Sequence, residues 1–213
     1  MADIANLYDD RITGILEGAK RAFAEKGFDG ASMQDLARAA GMSAGNFYRY
    51  FPSKDAIVEA MIDRDLADVQ RDFEIIQTSE DPASALLETF RHRLDNLECE
   101  KGPLWAEIDA AARRRPQVAA VVSKMETEVS LFLITVFARM SGLGLTEARA
   151  RFSGHCIFLI MVFKGASQRL SGAGCQMTDE TRSHLRSLVL QTIEQTLTEI
   201  SALQGATDKE LAL

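Results

Sequence analysis

The segment from Ser32 to Lys54, SMQDLARAAGMSAGNFYRYFPSK, restricts the fold more than any other stretch, because its punctuation forces two short helices across a glycine turn. Ser32 is an N-cap candidate whose hydroxyl can accept a free backbone N–H, and Asp35 puts negative charge in the first turn, where the helix dipole favours it. Leu36, Ala37, Ala39 and Ala40 follow at helical spacing, and Gly41 offers the left-handed conformation that ends a helix without a Cβ penalty. Ser43 is the next N-cap candidate. A second helix is therefore expected from about Ala44 to Tyr50 or Phe51, until Pro52 restricts the residue before it. Two helices this close make a helix-turn-helix.

The second helix has the side chains that a DNA groove accepts. Ala44 and Gly45 give clearance, while Asn46, Tyr48, Arg49 and Tyr50 offer groups that reach outward. Asn bonds bidentately to adenine, Arg does so to guanine, and a tyrosine can donate to phosphate or lie against a thymine methyl. Phe47 and Phe51 alternate with these and are expected to pack inward. Pro52, Ser53 and Lys54 start a further helix, whose N-terminal amides and the Lys54 ammonium would make a phosphate site. Ser32, Gln34 and Ser43 complete the candidate DNA-binding positions.

From about Ile12 to Ile57 the chain resembles the DNA-binding domain of the TetR family of bacterial transcriptional regulators. Two runs carry the likeness: ILEGAKRAFAEKGFDGAS from Ile15 to Ser32, and DLARAAGMSAGNFYRYFPSKDAI from Asp35 to Ile57. Gly27 and Phe28 close the first helix, and Gly41, Ser43, Gly45, Tyr48, Tyr50, Phe51 and Lys54 fall where the pattern puts them. Ser32 stands where the pattern has Thr and Met42 where it has Val, and both keep the capping or packing role. The resemblance spans about a quarter of the chain. It implies an all-α fold, with an N-terminal three-helix helix-turn-helix DNA-binding domain over residues 1–54 and a C-terminal helical ligand-binding and dimerisation domain over residues 55–213.

Composition fits a globular chain with a sizeable core, at 46% apolar and 26% charged over 213 residues. The net charge of −7 is unevenly placed: residues 1–54 hold seven acids and seven bases, so the whole excess lies beyond Lys54. Between Met33 and Lys54, Asp35 faces Arg38, Arg49 and Lys54, a local cationic surplus. The three cysteines, Cys99, Cys156 and Cys175, lack paired spacing and read as reduced thiols, with a redox role for Cys99 or Cys156 the less favoured alternative. His155 and Cys156 point about 100° apart on a helix and have no partners at metal-binding spacing, so neither metal nor other cofactor is expected. The start, MADIANLYDDR, has no apolar core of a secretory signal, which implies a cytoplasmic location. The longest apolar run, Cys156 to Phe163, is far short of the ~20 residues of a membrane span.

Beyond Lys54 the pattern is helical throughout. Lys54 to about Thr78 keeps Ile57, Met61, Ile62, Leu66, Val69 and Phe73 at helical spacing and forms a natural lever. Helices follow over Ala83 to Cys99, Pro103 to Arg114 and Pro116 to Met140. The last two, about Thr146 to Leu170 and Asp179 to Leu203, are apolar on more than one face, which points to a two-fold homodimer. Gln204 to Leu213 reads as a frayed polar tail.

Trp105, Glu107, Phe132, His155, Phe158 and Met161 are the candidates for lining a small-molecule pocket, being aromatic, polar or soft side chains set in apolar helices. The partners implied are double-stranded DNA with a palindromic operator, an unknown small-molecule effector and a second copy of the chain, but no membrane. The sequence assembles no nucleophile with its base, no paired carboxylates and no phosphate loop, so catalysis is not expected. Repression by promoter occupancy is the default reading. Activation, co-repression, and an interaction protein or enzyme that keeps the helix-turn-helix only as structure are the alternatives.

Overall fold

The computed structural model describes residues 2–97, 101–171 and 177–211, which places Cys99 and Cys175 outside the described residues. Among these residues there are nine helices and no strand: α1 Ala2–Gly30, α2 Met33–Ala39, α3 Ala44–Tyr50, α4 Lys54–Thr78, α5 Pro82–Asp95, α6 Lys101–Ala112, α7 Pro116–Ser141, α8 Leu145–Leu170 and α9 Asp179–Leu211. The lever helix has the ends its spacing predicts. Other ends differ, most by one or two residues. Asn96 caps α5 before Cys99 is reached, and α6 stops ahead of Arg113. Helix α9 continues through the expected tail to Leu211, because Gly205 is the one weak breaker there and no proline follows it.

The chain packs as two compact units. The first gathers Met1–Asp65, Glu98–Lys124 and Ser171–Ala173; the second gathers Leu66–Leu97, Met125–Leu170 and Gly174–Leu213. Helices α4 and α7 contribute residues to both, so this division by packing does not follow the division at residue 54 drawn from motif.

In the first unit, Phe23, Phe28, Leu36, Phe47, Ile57, Ile62 and Ile108 are withdrawn from water almost completely. Each such side chain contributes roughly 1.5–3 kcal/mol on burial. Phe23 and Phe28 stack with ring centroids 5.3 Å apart. Gly18 sits so close to the end of α2 that a Cβ there would lie 2.6 Å from Ala40 Cα and 2.7 Å from the Ala39 carbonyl oxygen. That close approach fixes how α1 crosses α2, and any side chain at 18 would push the two apart.

The second unit is built on Phe137, Phe152, Cys156, Leu159, Ile193 and Ile200. Phe137 and Phe152 meet edge to face at 5.9 Å. The Arg139 guanidinium donates to the Gln77 carbonyl at 2.6 Å and so caps the end of α4. Helices α8 and α9 form a hairpin in which Arg182 donates to the Leu170 carbonyl. Among the described residues no single helix is long and apolar enough to cross a membrane, and no cluster of His, Cys, Asp and Glu could hold a metal ion.

Candidate nucleic-acid interface

The helix-turn-helix is set by its caps. Ser32 Oγ accepts the Asp35 N–H at 3.2 Å, and Asp35 Oδ2 accepts the Ser32 N–H at 3.0 Å, a reciprocal capping box. Lys26 Nζ reaches Asp35 Oδ1 at 2.5 Å and Arg38 reaches the same oxygen at 3.3 Å. The Lys26 hydrogen bond first, then those from Ser32, hold the Asp35 carboxyl well below its ordinary value. Gly41, at φ 66°, makes the turn that an L side chain would strain. Ser43 Oγ accepts the Asn46 N–H at 3.4 Å and starts α3.

Within α3 the inward and outward faces separate as the sequence expects. Phe47 is fully buried, and its ring lies 6.1 Å from that of buried Phe51. Gln34, Gly45, Tyr48 and Arg49 are exposed; Ala44, Asn46 and Tyr50 are half-buried. Tyr48 keeps 49% of its surface in water, high for an aromatic residue beside a packed core. Ser32 and Ser43 are exposed but their hydroxyls are engaged at the helix ends, so their first role is to aim α2 and α3. Arg38, counted for charge but not as a contact, is the cation of α2 and is exposed.

Lys54 is placed differently from expectation. Its ammonium does not stand free at the start of α4: it donates to the Phe28 carbonyl at 2.6 Å and the Asp29 carbonyl at 3.2 Å, and lies 4.9 Å from the centre of the Phe28 ring. The last carbonyls of α1 lack helical partners, and a lysine beside them satisfies two at once. Burial, then the Arg115 charge, pull the Lys54 pKa below its ordinary value, partly offset by Asp29 and Asp55.

A group of residues that the sequence reasoning missed surrounds the same point. Gly27, at φ 72°, breaks α1, and the Phe28 N–H donates to Glu107 Oε2 at 2.9 Å. Arg114 reaches Asp29 at 2.7 Å, while Arg115 reaches Asp55 at 3.2 Å and stands 5.0 Å from the Phe28 ring centre. The Arg114 hydrogen bond, aided by the charges of Arg114, Arg115 and Lys54, holds Asp29 below its ordinary value. The available signal was the triplet Arg113, Arg114, Arg115 ahead of Pro116, a basic run sharp enough to have been singled out.

The six pocket candidates are divided between the two units. Trp105 and Glu107 belong to the first unit; Phe132, His155, Phe158 and Met161 belong to the second. Glu107 is engaged with Phe28, and Phe132 stacks on Phe73 at 4.6 Å as part of the core packing. His155 and Phe158 line an open groove of about 500 Å³ between α8 and α9, with Arg151, Gly154, Thr192, Gln195, Thr196 and Glu199. Met161 is 61% exposed on α8, near Ile157 at 65% and on the same helix as Phe158. Sequence alone chose these side chains for their type, and type does not reveal which face of a helix they occupy. Cys156 is buried, and desolvation pushes its thiol up to about 12, which removes the basis for a redox role there.

Residues 15–61 match the family model for bacterial regulatory proteins of the tetR family. The HTH-type transcriptional regulator UidR of Escherichia coli K12 is 32% identical over 129 residues, which cover 57% of this chain and 61% of UidR. The chain thus spans about three fifths of the length of that curated relative. Among solved structures, Salmonella enterica GusR has the same fold with a TM-score of 0.69 at 23% identity, over 91% of this chain and 96% of GusR. A structure of AibR in complex with isovaleryl coenzyme A and operator DNA matches with a TM-score of 0.60 at 17% identity, over 85% of this chain and 97% of AibR.

Proposed function

We propose that the chain, whose residues 15–61 match the model for bacterial regulatory proteins of the tetR family, is a cytoplasmic, homodimeric repressor of that family that releases a palindromic operator when a small, largely apolar molecule binds its C-terminal part. The observation that carries the reading is α3 itself. Buried Phe47 anchors it and the Ser43 cap aims it, while Asn46, Tyr48 and Arg49 are left to meet base edges and phosphates. We ascribe no catalytic activity to the chain.

Dimerisation supplies the geometry. Ile157, Phe158 and Met161 on α8 and Leu188 on α9 are large apolar side chains left in water, and such a patch favours a partner surface. A two-fold pair would hold two recognition helices about one turn of DNA apart, ~34–36 Å, so that both halves of a palindrome are read together. Helix α4, continuous from Lys54 to Thr78, is the lever in this scheme. An effector has to prefer the non-binding form by ~1–3 kcal/mol for a modest response, since equal affinity for both forms shifts nothing. The structure of AibR in complex with isovaleryl coenzyme A and operator DNA supports a place for a ligand with an apolar acyl part on the same fold.

The test is selection of genomic DNA fragments by the purified protein at near-physiological salt, followed by sequencing. Enrichment of one palindrome is the expected result, and the neighbouring genes then narrow the effector. Binding without enrichment that fades smoothly with salt would refute operator recognition by the protein alone.

A further inference from the structure

The helix-turn-helix is gripped at both its ends by one point in the first unit. Its lead-in is the end of α1, where Phe28 and Asp29 pass through Gly30 and Ala31 to the Ser32 cap. Its exit is the corner from Phe51 to Asp55 that begins α4. Lys54 ties the exit to the lead-in through the Phe28 and Asp29 carbonyls. Residues from α6 and the turn before α7 then hold both: Glu107 takes the Phe28 N–H at 2.9 Å, Arg114 pairs with Asp29 at 2.7 Å, and Arg115 pairs with Asp55 at 3.2 Å. None of these three lies within residues 15–61, the part of the chain that matches the family's DNA-binding model.

We infer that Glu107 and Arg115 are positioning residues for DNA recognition, which fix the angle of α3 by joining α6 and the α6–α7 turn to both ends of the helix-turn-helix; the inference rests on the DNA-binding reading above. The Glu107 contact is specific for geometric reasons. The break at Gly27 takes the Phe28 N–H out of the helical ladder, and a buried donor without a partner is costly, so the carboxylate is held where it can accept. Arg115, itself half-buried, is held as well by its place ahead of Pro116, where its carbonyl accepts the Ala119 N–H at 3.0 Å, and by its contact with the buried Phe28 ring, which an exposed ion pair lacks. Movement of α6 or of its turn thereby moves the lead-in and exit of α3 together.

The experiment measures operator affinity of the full-length protein across a salt series, for the parent and for Glu107→Ala, Glu107→Gln and Arg115→Ala. Glu107→Ala and Arg115→Ala are expected to weaken binding about tenfold while the slope of log affinity against log salt stays that of the parent, because no phosphate contact is removed. Glu107→Gln keeps an acceptor for Phe28 and is expected to recover most of the loss. Unchanged affinity in both alanine variants, or a slope that falls by about one, overturns the inference. Should Arg115→Ala fail to fold, the charge swap Arg115→Asp with Asp55→Arg replaces it: recovery of affinity relative to Arg115→Asp alone supports the pairing, and none overturns it. A parent protein that selects no operator would refute the function itself, which these variants leave distinguishable.

Discussion

The helix-turn-helix and the α8–α9 hairpin are both all-helical, yet they leave opposite kinds of surface to water. Helices α2 and α3 bury Leu36, Ala37 and Phe47 and turn Gln34, Tyr48 and Arg49 outward, so their apolar groups are covered and hydrogen-bonding groups remain. The hairpin buries Phe152, Cys156, Leu159 and Ile193 and still exposes Ile157, Met161 and, at 46%, Leu188. The difference teaches that one region covers its apolar groups and presents hydrogen-bonding ones, whereas the other keeps apolar surface in water, which the proposed second copy would cover. A short helix with both ends capped needs only one well-buried aromatic to be held; a long helix apolar on several faces needs several neighbours to cover it.

The largest effect is expected at the hairpin. Met161→Glu would bury two unpaired carboxylates in a two-fold interface, each of the order of 3–5 kcal/mol, and should give a monomer in sedimentation while the helical signal is retained. An unchanged dimer would break the comparison, for the α8 face would then not be the interface. Phe47→Ala acts within the other region and should cost about 3–5 kcal/mol of stability by denaturant unfolding, since the Phe47 ring is fully buried beneath α3. Asn46→Ala and Arg49→Ala should leave stability near the parent value and relax base preference by ~1–3 kcal/mol each in selection experiments. Ser32→Ala removes a cap and should cost about 1 kcal/mol.

The smallest effect is on acid stability. Asp29 and Asp35 are depressed below the ordinary value of 3.8, so the stability they contribute is present above that pH and is lost as pH falls below it. Asp81, capping α5 in the second unit through Ser84, follows the same sign. Melting temperatures from pH 6 to pH 2 should therefore fall mainly below about pH 4, and Asp35→Asn should flatten part of that fall.

The interface and the node behind it were legible to different degrees for a physical reason. Ser32, Gly41, Ser43 and Pro52 act on the backbone within a few residues of themselves, so their effect on α2 and α3 can be read from order alone. Phe47 and Phe51 were assigned inward from their alternation with polar neighbours, and both are buried. The partners of Lys54 were not legible, because its position suggested a free helix start, whereas Phe28 and Asp29 lie 26 and 25 residues earlier. Glu107 shows the same limit, since its partner Phe28 is 79 residues away and its type suggested a pocket.

The sequence by itself determined the helical class, the helix-turn-helix with its caps, and the lever from Lys54 to Thr78, because local propensity, capping and turn chemistry act over spans shorter than a helix. Only the tertiary structure decided which ends are tied together by Glu107, Lys54, Arg114 and Arg115, and which apolar side chains of α8 and α9 stay in water. Those outcomes depend on contacts between residues far apart in the chain, whose pairing follows from how helices cross and pack.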